Sequence, residues 1–113
     1  MQRDWAYIQD IIDSAKLALS YVKGVDEASF SCNLQLQDAV LRRLEIIGEA
    51  ARRISDETKV EHPKVPWRQM IGMRNQVIHM YDGVDLHIVW HTIQNDVFPL
   101  VEMLESLVPL KDI

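Results

Sequence analysis

Apolar residues in this chain recur at steps of three and four, the period of an amphipathic helix rather than the alternation of a strand. Trp5, Ile8, Ile12, Ala15, Leu19 and Val22 form the first stripe and predict a helix from Asp4 to Lys23. Gly24 stands where a left-handed stop belongs. Asp26 reads as the N-cap of a short turn or helix through Phe30. Leu36, Val40, Leu44, Ile47, Ala51 and Ile54 set a second long helix from about Asn33 to Ile54. On its other faces Glu49 and Arg53 lie four apart, in the favourable order for an ion pair. Arg42, Arg43, Arg52 and Arg53 read either as a solvated, ion-paired face or as a basic wall beside a cleft.

Ser55-Asp56-Glu57-Thr58 opens a short turn of helix that must end before Pro63. His62 to Pro66 is a connector, because the residue before each proline is pushed out of the helical region. Pro66 suits position N1 of a third helix that runs to about His79, with Trp67, Met70, Ile71 and Ile78 inward. Gly72 costs that helix about 1 kcal/mol relative to alanine. Close approach of another backbone would justify it. Gly83 ends the segment and Asp85 caps the next. A fourth helix runs from Leu86 to about Val108, with Val89, Ile93, Val97, Leu100, Leu104 and Leu107 inward. Pro99 removes the hydrogen bond to the Asn95 carbonyl and predicts a kink there. No strand period, internal repeat or low-complexity tract appears. The expected fold is all-α: an antiparallel up-and-down four-helix bundle with one or two short extra helices, in one domain over residues 1–113.

Composition and charge refine this picture. Hydrophobic residues make up 48% and charged residues 26%, as in an ordinary folded domain. The net charge of −5, from 17 acidic and 12 basic residues, argues against a generic nucleic-acid coat. It leaves room for a small basic cleft, since Arg42, Arg43, Arg52, Arg53, Lys64, Arg68 and Arg74 all lie in the middle of the chain. The lone Cys32 cannot form an internal disulfide and reads as a partly buried small residue. No apolar leader opens the chain, and no apolar run approaches the roughly 18–20 residues of a membrane span. A cytoplasmic protein without membrane attachment is expected.

Candidate chemistry concentrates in Met73-Arg74-Asn75-Gln76-Val77-Ile78-His79-Met80-Tyr81. Arginine carries a permanent charge and a fork of donors suited to phosphate. Histidine both takes and gives protons near neutrality. Tyr81 adds a hydroxyl that is itself open to modification. The set suggests phosphodiester chemistry without a metal or other cofactor. Arg74 and His79 stand about 140° apart around a helix, whereas Asn75 and His79 share a face. Two such helix ends meeting in a dimer would supply separate acid and base. The plainer reading makes Arg74 an ion-pair partner and His79 a helix-end residue. His87 and His91 have metal-ligand spacing but no obvious third ligand, so they read as surface or dimer-face residues. Trp5, Trp67 and Trp90 read as core packing rather than base-stacking platforms.

A wider set of residues resembles the HepT-like family, a branch of the HEPN helical ribonucleases. The matching blocks are Asp38-Ala39-Val40, Arg43-Leu44-Glu45-Ile46-Ile47-Gly48-Glu49-Ala50, Pro66-Trp67, Gly72-Met73-Arg74-Asn75-x-x-Ile78-His79-x-Tyr81 and Val89-Trp90. The resemblance covers about residues 4–108. It implies an RNase toxin of a type VII-like toxin–antitoxin pair that acts on RNA as a homodimer. Its partner would be a minimal nucleotidyltransferase antitoxin. It puts Arg74, Asn75 and His79 on the family's catalytic positions and Tyr81 on the tyrosine to which the antitoxin adds AMP. The alternative from another class is a catalytically silent helical module that docks a nucleotidyltransferase or a nucleotide.

Overall fold

The computed structural model describes the backbone of residues 2–81 and 85–108, and the side chains of residues 3–75 and 85–108. Helix α1 spans Gln2–Tyr21, α2 Glu27–Ser31, α3 Leu34–Arg53, α4 Asp56–Glu61, α5 Trp67–Tyr81, α6 Leu86–Thr92 and α7 Phe98–Glu105, with a π-helical turn at Ile93–Val97 between the last two. The described residues contain no strand. The fold is the expected all-α, HEPN-like bundle with short extra helices. Helix α3 is its centre, packing on α1 along one side and on α5 along the other, while α7 lies against α1.

Each boundary has a local cause. Gly24, at φ 75°, lets the chain leave α1 through the left-handed region. Asp26 accepts from the Ser29 amide at 2.8 Å, and Asn33 accepts from the Leu36 amide at 3.0 Å, so both act as N-caps. Asp85 caps α6 through the His87 amide at 3.0 Å. Pro66 falls at the N-cap of α5 rather than at N1, because the helical register opens at Trp67. The Trp67 indole N–H donates to the His62 carbonyl at 2.9 Å and ties down the preceding connector. The stop assigned to Gly83 lies outside the described residues.

The predicted stripes build the core, with Leu19, Leu36, Ile71 and Leu107 half-buried against it, and the inward position expected of Ile78 lies outside the described side chains. Ile8, Ile12 and Ala15 of α1, Val40, Leu44 and Ile47 of α3, Met70 of α5, and Ile93, Val97 and Leu104 are all buried. Removing one such aliphatic side chain from water stabilises the fold by about 1.5–3 kcal/mol. Trp67 is buried, and Trp5 and Trp90 pack against the core as expected. Trp90 sits 5.2 Å, centroid to centroid, from Phe30. Cys32 corrects the expectation of partial burial. It is exposed, because it caps the C-terminus of α2 at the surface.

Two polar knots tie the short helices down. Asp4 is buried, yet its carboxylate accepts from the Ser55 hydroxyl at 2.6 Å, the Thr58 hydroxyl at 2.6 Å and the Ser55 amide at 3.1 Å. Burial alone would raise its pKa, but these donors outweigh it and hold the carboxyl below its ordinary value. The buried Gln37 amide donates to the Phe30 and Ser31 carbonyls at 2.9 and 3.1 Å, locking α2 onto α3.

The disturbance expected at Pro99 comes earlier in the chain. The π turn at Ile93–Val97 widens the helix just ahead of the proline. It gives the ring room where an α-helical carbonyl would clash.

Candidate functional site

The site is built where α3 and α5 cross. A Cβ on Gly48 would lie 2.8 Å from both the Cβ and the backbone N of Arg74, and 3.2 Å from the Ile71 carbonyl oxygen. No side chain fits there, so glycine permits this close contact between the two helices. The next residue, Glu49, then reaches across. Its carboxylate accepts from Arg74 Nε at 2.7 Å and lies 3.4 Å from a terminal nitrogen of Arg52. The Glu49–Arg53 pair expected from spacing does not form. Arg52 and Arg74 take the carboxylate because the crossing brings α5 onto that face of α3.

The Arg74 side chain is 45% exposed and that of Glu49 30% exposed. A pair this wet contributes little to stability. Its effect is geometric: one edge of the guanidinium is fixed by Nε, and the two terminal nitrogens have no carboxylate partner among the described residues. Arg74 is therefore ion-paired, as the plainer reading expects, yet keeps a fork of donors facing solvent. Asn75 is exposed beside it.

Helix α5 extends two residues beyond the expected end near His79, so positions 74, 75, 79 and 81 share one continuous helix. On that backbone, positions 75 and 79 are one turn apart on one face. Position 81 falls almost directly above position 74, about 10 Å along the axis. The side chains of His79 and Tyr81 lie outside the described residues, so the expected contact between Asn75 and His79 does too.

Arg42 pairs with Glu45 at 2.9 Å, which gives the α3 surface the ion-paired character of the simpler reading. The His87 and His91 rings lie 6.0 Å apart, centroid to centroid, and His87 bonds through Nδ1 to Glu27 at 2.6 Å. That hydrogen bond and the carboxylate charge raise the His87 pKa. Among the described residues no group of three or more His, Cys, Asp or Glu side chains has metal-binding geometry. No helix among them is long and apolar enough to cross a membrane.

The Gly48-Glu49 step is the part of the site that sequence reading misses. Its signal was present: a glycine inside an otherwise strong helix, followed by a carboxylate, upstream of the arginine motif.

The fold and this crossing together define an all-α bundle with a half-exposed, carboxylate-steered arginine on its third long helix. The chain belongs to the HepT-like ribonuclease family, whose profile, described as Ribonuclease HepT-like, matches residues 11–107. It is 39% identical over 101 residues to the "Probable ribonuclease HepT" of Thermococcus cleftensis, covering 89% of this chain and 92% of that one. It is 40% identical over 92 residues to a "Putative RNase" of Methanocaldococcus jannaschii, covering 81% and 84%. A further "Putative RNase", from Caldanaerobacter subterraneus, is 35% identical over 101 residues, covering 89% and 90%. No solved structure matches. Membership of this family supports ribonuclease activity, and the crossing of α3 and α5 lies inside the matched segment.

Proposed function

We propose that this chain, acting as one HepT-like domain over residues 1–113, is a metal-independent RNA endonuclease. In this reading it works in the cytoplasm as the toxin of a type VII-like toxin–antitoxin pair. The observation that carries the proposal is the Glu49–Arg74 contact. It holds the guanidinium by Nε and leaves its phosphate-binding end open, within a segment matched to a ribonuclease family.

Arg74 binds the non-bridging oxygens of the scissile phosphate and stabilises the charge that builds on them. His79 takes the proton of the ribose 2′-OH. The 2′-oxygen bonds to phosphorus, the bond from phosphorus to the 5′-oxygen breaks, and the leaving oxygen receives a proton. A homodimer that joins two copies of α5 across one cleft provides a second His79 for that last step. Asn75 orients the imidazole or holds the same phosphate. The products are a 2′,3′-cyclic phosphate and a 5′-hydroxyl.

Tyr81 is the control point. A minimal nucleotidyltransferase antitoxin transfers AMP from ATP to its hydroxyl: the tyrosyl oxygen bonds to the α-phosphorus, pyrophosphate leaves, and the hydroxyl proton is released. Position 81 stands over position 74 on α5, so the added phosphate competes for Arg74 and the nucleoside fills the approach.

Incubation of the unmodified protein with labelled RNA in EDTA tests the core of this reading. Cleavage is expected from the wild type. Arg74→Ala is expected to lower the rate by about 10²–10³-fold, as loss of one oxyanion donor does, and His79→Ala to abolish cleavage. Tyr81→Phe is expected to cleave normally and to resist the antitoxin; incorporation of AMP into that variant would move the acceptor elsewhere. The second reading, a silent docking module, draws on the net charge of −5 and on the carboxylate already bound to Arg74. RNA left intact by the wild type would favour it.

A further inference from the structure

Gly72 sits in the middle of α5, where a glycine weakens a helix, and no contact among the described residues needs it there. A Cβ at Gly72 would meet no atom within 4 Å. It opens instead onto a cavity of about 280 Å³ between α5 and the π turn. Met70, Met73, Leu100 and Pro66 give this cavity apolar walls, and Gln69 and Asp96 bring polar groups to it. Gln69 and Asp96 are exposed, and neither has a hydrogen-bond or ion-pair partner among the described residues. The third polar lining residue, Thr92, is buried and donates to the Ile88 carbonyl at 2.9 Å. Asp96 belongs to the π turn itself, an irregularity found frequently at functional sites. On α5, Gly72 shares a face with Asn75 and with position 79, about 5 and 10 Å further along the axis.

We propose that this cavity receives a nucleobase of the RNA substrate beside the cleaved phosphate, and that it selects guanine. The inference rests on the ribonuclease reading given above. The volume suits one base, and thioether side chains make favourable contacts with aromatic rings. The polar groups discriminate. A carboxylate only accepts, and it accepts at two oxygens. Guanine presents two adjacent donors on its Watson–Crick edge, N1–H and the 2-amino group, and both are met by Asp96. Its O6 accepts from the Gln69 amide. Adenine and cytosine offer Asp96 one amino donor beside a ring acceptor. Uracil offers one N–H flanked by two carbonyl oxygens that the carboxylate repels. Single-stranded RNA is read in this way, through splayed bases bonded along their edges. Glycine at position 72 keeps the wall thin enough for the base to lie against the α5 backbone.

The test is equilibrium binding of the four ribonucleoside 3′-monophosphates, with the inosine analogue, to the wild type, Asp96→Asn and Gly72→Leu. It is run beside mapping of the RNA cleavage sites. The wild type is expected to bind the guanosine nucleotide about tenfold or more tightly than the uridine one, the ratio that one lost charged hydrogen bond gives. The inosine analogue, lacking the 2-amino group, is expected to fall between them. Asp96→Asn is expected to erase the preference, and Gly72→Leu to block the cavity while the thermal midpoint holds or rises. Cleavage sites are expected beside guanine. Equal binding of all four nucleotides, or a guanine preference that survives Asp96→Asn, overturns the proposal. A Gly72→Leu variant that binds normally and changes only the dimer mass in light scattering also overturns it and assigns the cavity to contact between copies. Guanine-selective binding by a protein that leaves RNA intact overturns the nuclease reading and leaves the pocket standing.

Discussion

Gly48 and Gly72 interrupt two long helices at the same nominal cost, about 1 kcal/mol each relative to alanine. At Gly48 α3 and α5 are in tight contact, with the Arg74 backbone and Cβ filling the space a side chain would need. Gly72 faces open space two residues before Arg74. One glycine is explained by the folded chain. At the other, no described atom stands within 4 Å of an added Cβ. A helix-interior glycine therefore leaves room for a close neighbour, and of these two only Gly48 has that room filled by the described residues.

The largest expected effect of breaking this contrast is at Gly48. Alanine there drives a methyl into the Arg74 backbone, which cannot swing aside as a side-chain tip would. We expect a loss of about 1–3 kcal/mol, the range for overpacked sites, seen as a lower urea midpoint, together with loss of cleavage. Glu49→Gln removes the charge that holds Arg74 Nε and keeps the shape. It is expected to fold as the wild type does and to lose about tenfold in kcat with little change in KM, the pattern of a contact made in the transition state. Parallel loss of stability and activity in that variant would make Glu49 merely structural.

Gly72→Ala has the opposite sign. With nothing to strike, it is expected to stabilise α5 by up to about 1 kcal/mol, read as a raised thermal midpoint. The smallest effect is at the start of α6, where His87 clasps Glu27 in solvent. The raised folded-state pKa of His87 means this contact helps below the ordinary histidine pKa of about 6.5. Its contribution is lost as the pH rises through the raised value. An NMR titration should show His87 losing its proton at higher pH in the wild type than in Glu27→Gln.

The hydrophobic period made the bundle legible, because burial of one face is what holds each helix in place. Stops and caps at Gly24, Asp26, Ser55 and Asp85 were equally readable, since each is a local hydrogen-bonding or backbone requirement. Readings failed where the outcome depended on a second helix. Glu49 has two plausible partners along its own helix, and only the crossing at Gly48 decides for Arg74. The sequence places close backbone approach at Gly72, whereas the tight contact is at Gly48, because a glycine inside a helix does not name the partner that meets it. The π turn before Pro99 was likewise hidden, because the stripe through Ile93, Val97 and Leu100 runs on without a break.

Replacement of the ribose at a mapped cleavage site by 2′-deoxyribose, with mass analysis of the fragments from the unsubstituted RNA, tests the chemistry most directly. Attack by the 2′-oxygen beside Arg74 predicts that this one substitution blocks the cut, and that the natural RNA yields a fragment ending in a 2′,3′-cyclic phosphate with EDTA present. Cleavage of the deoxy-substituted strand at an undiminished rate would contradict it.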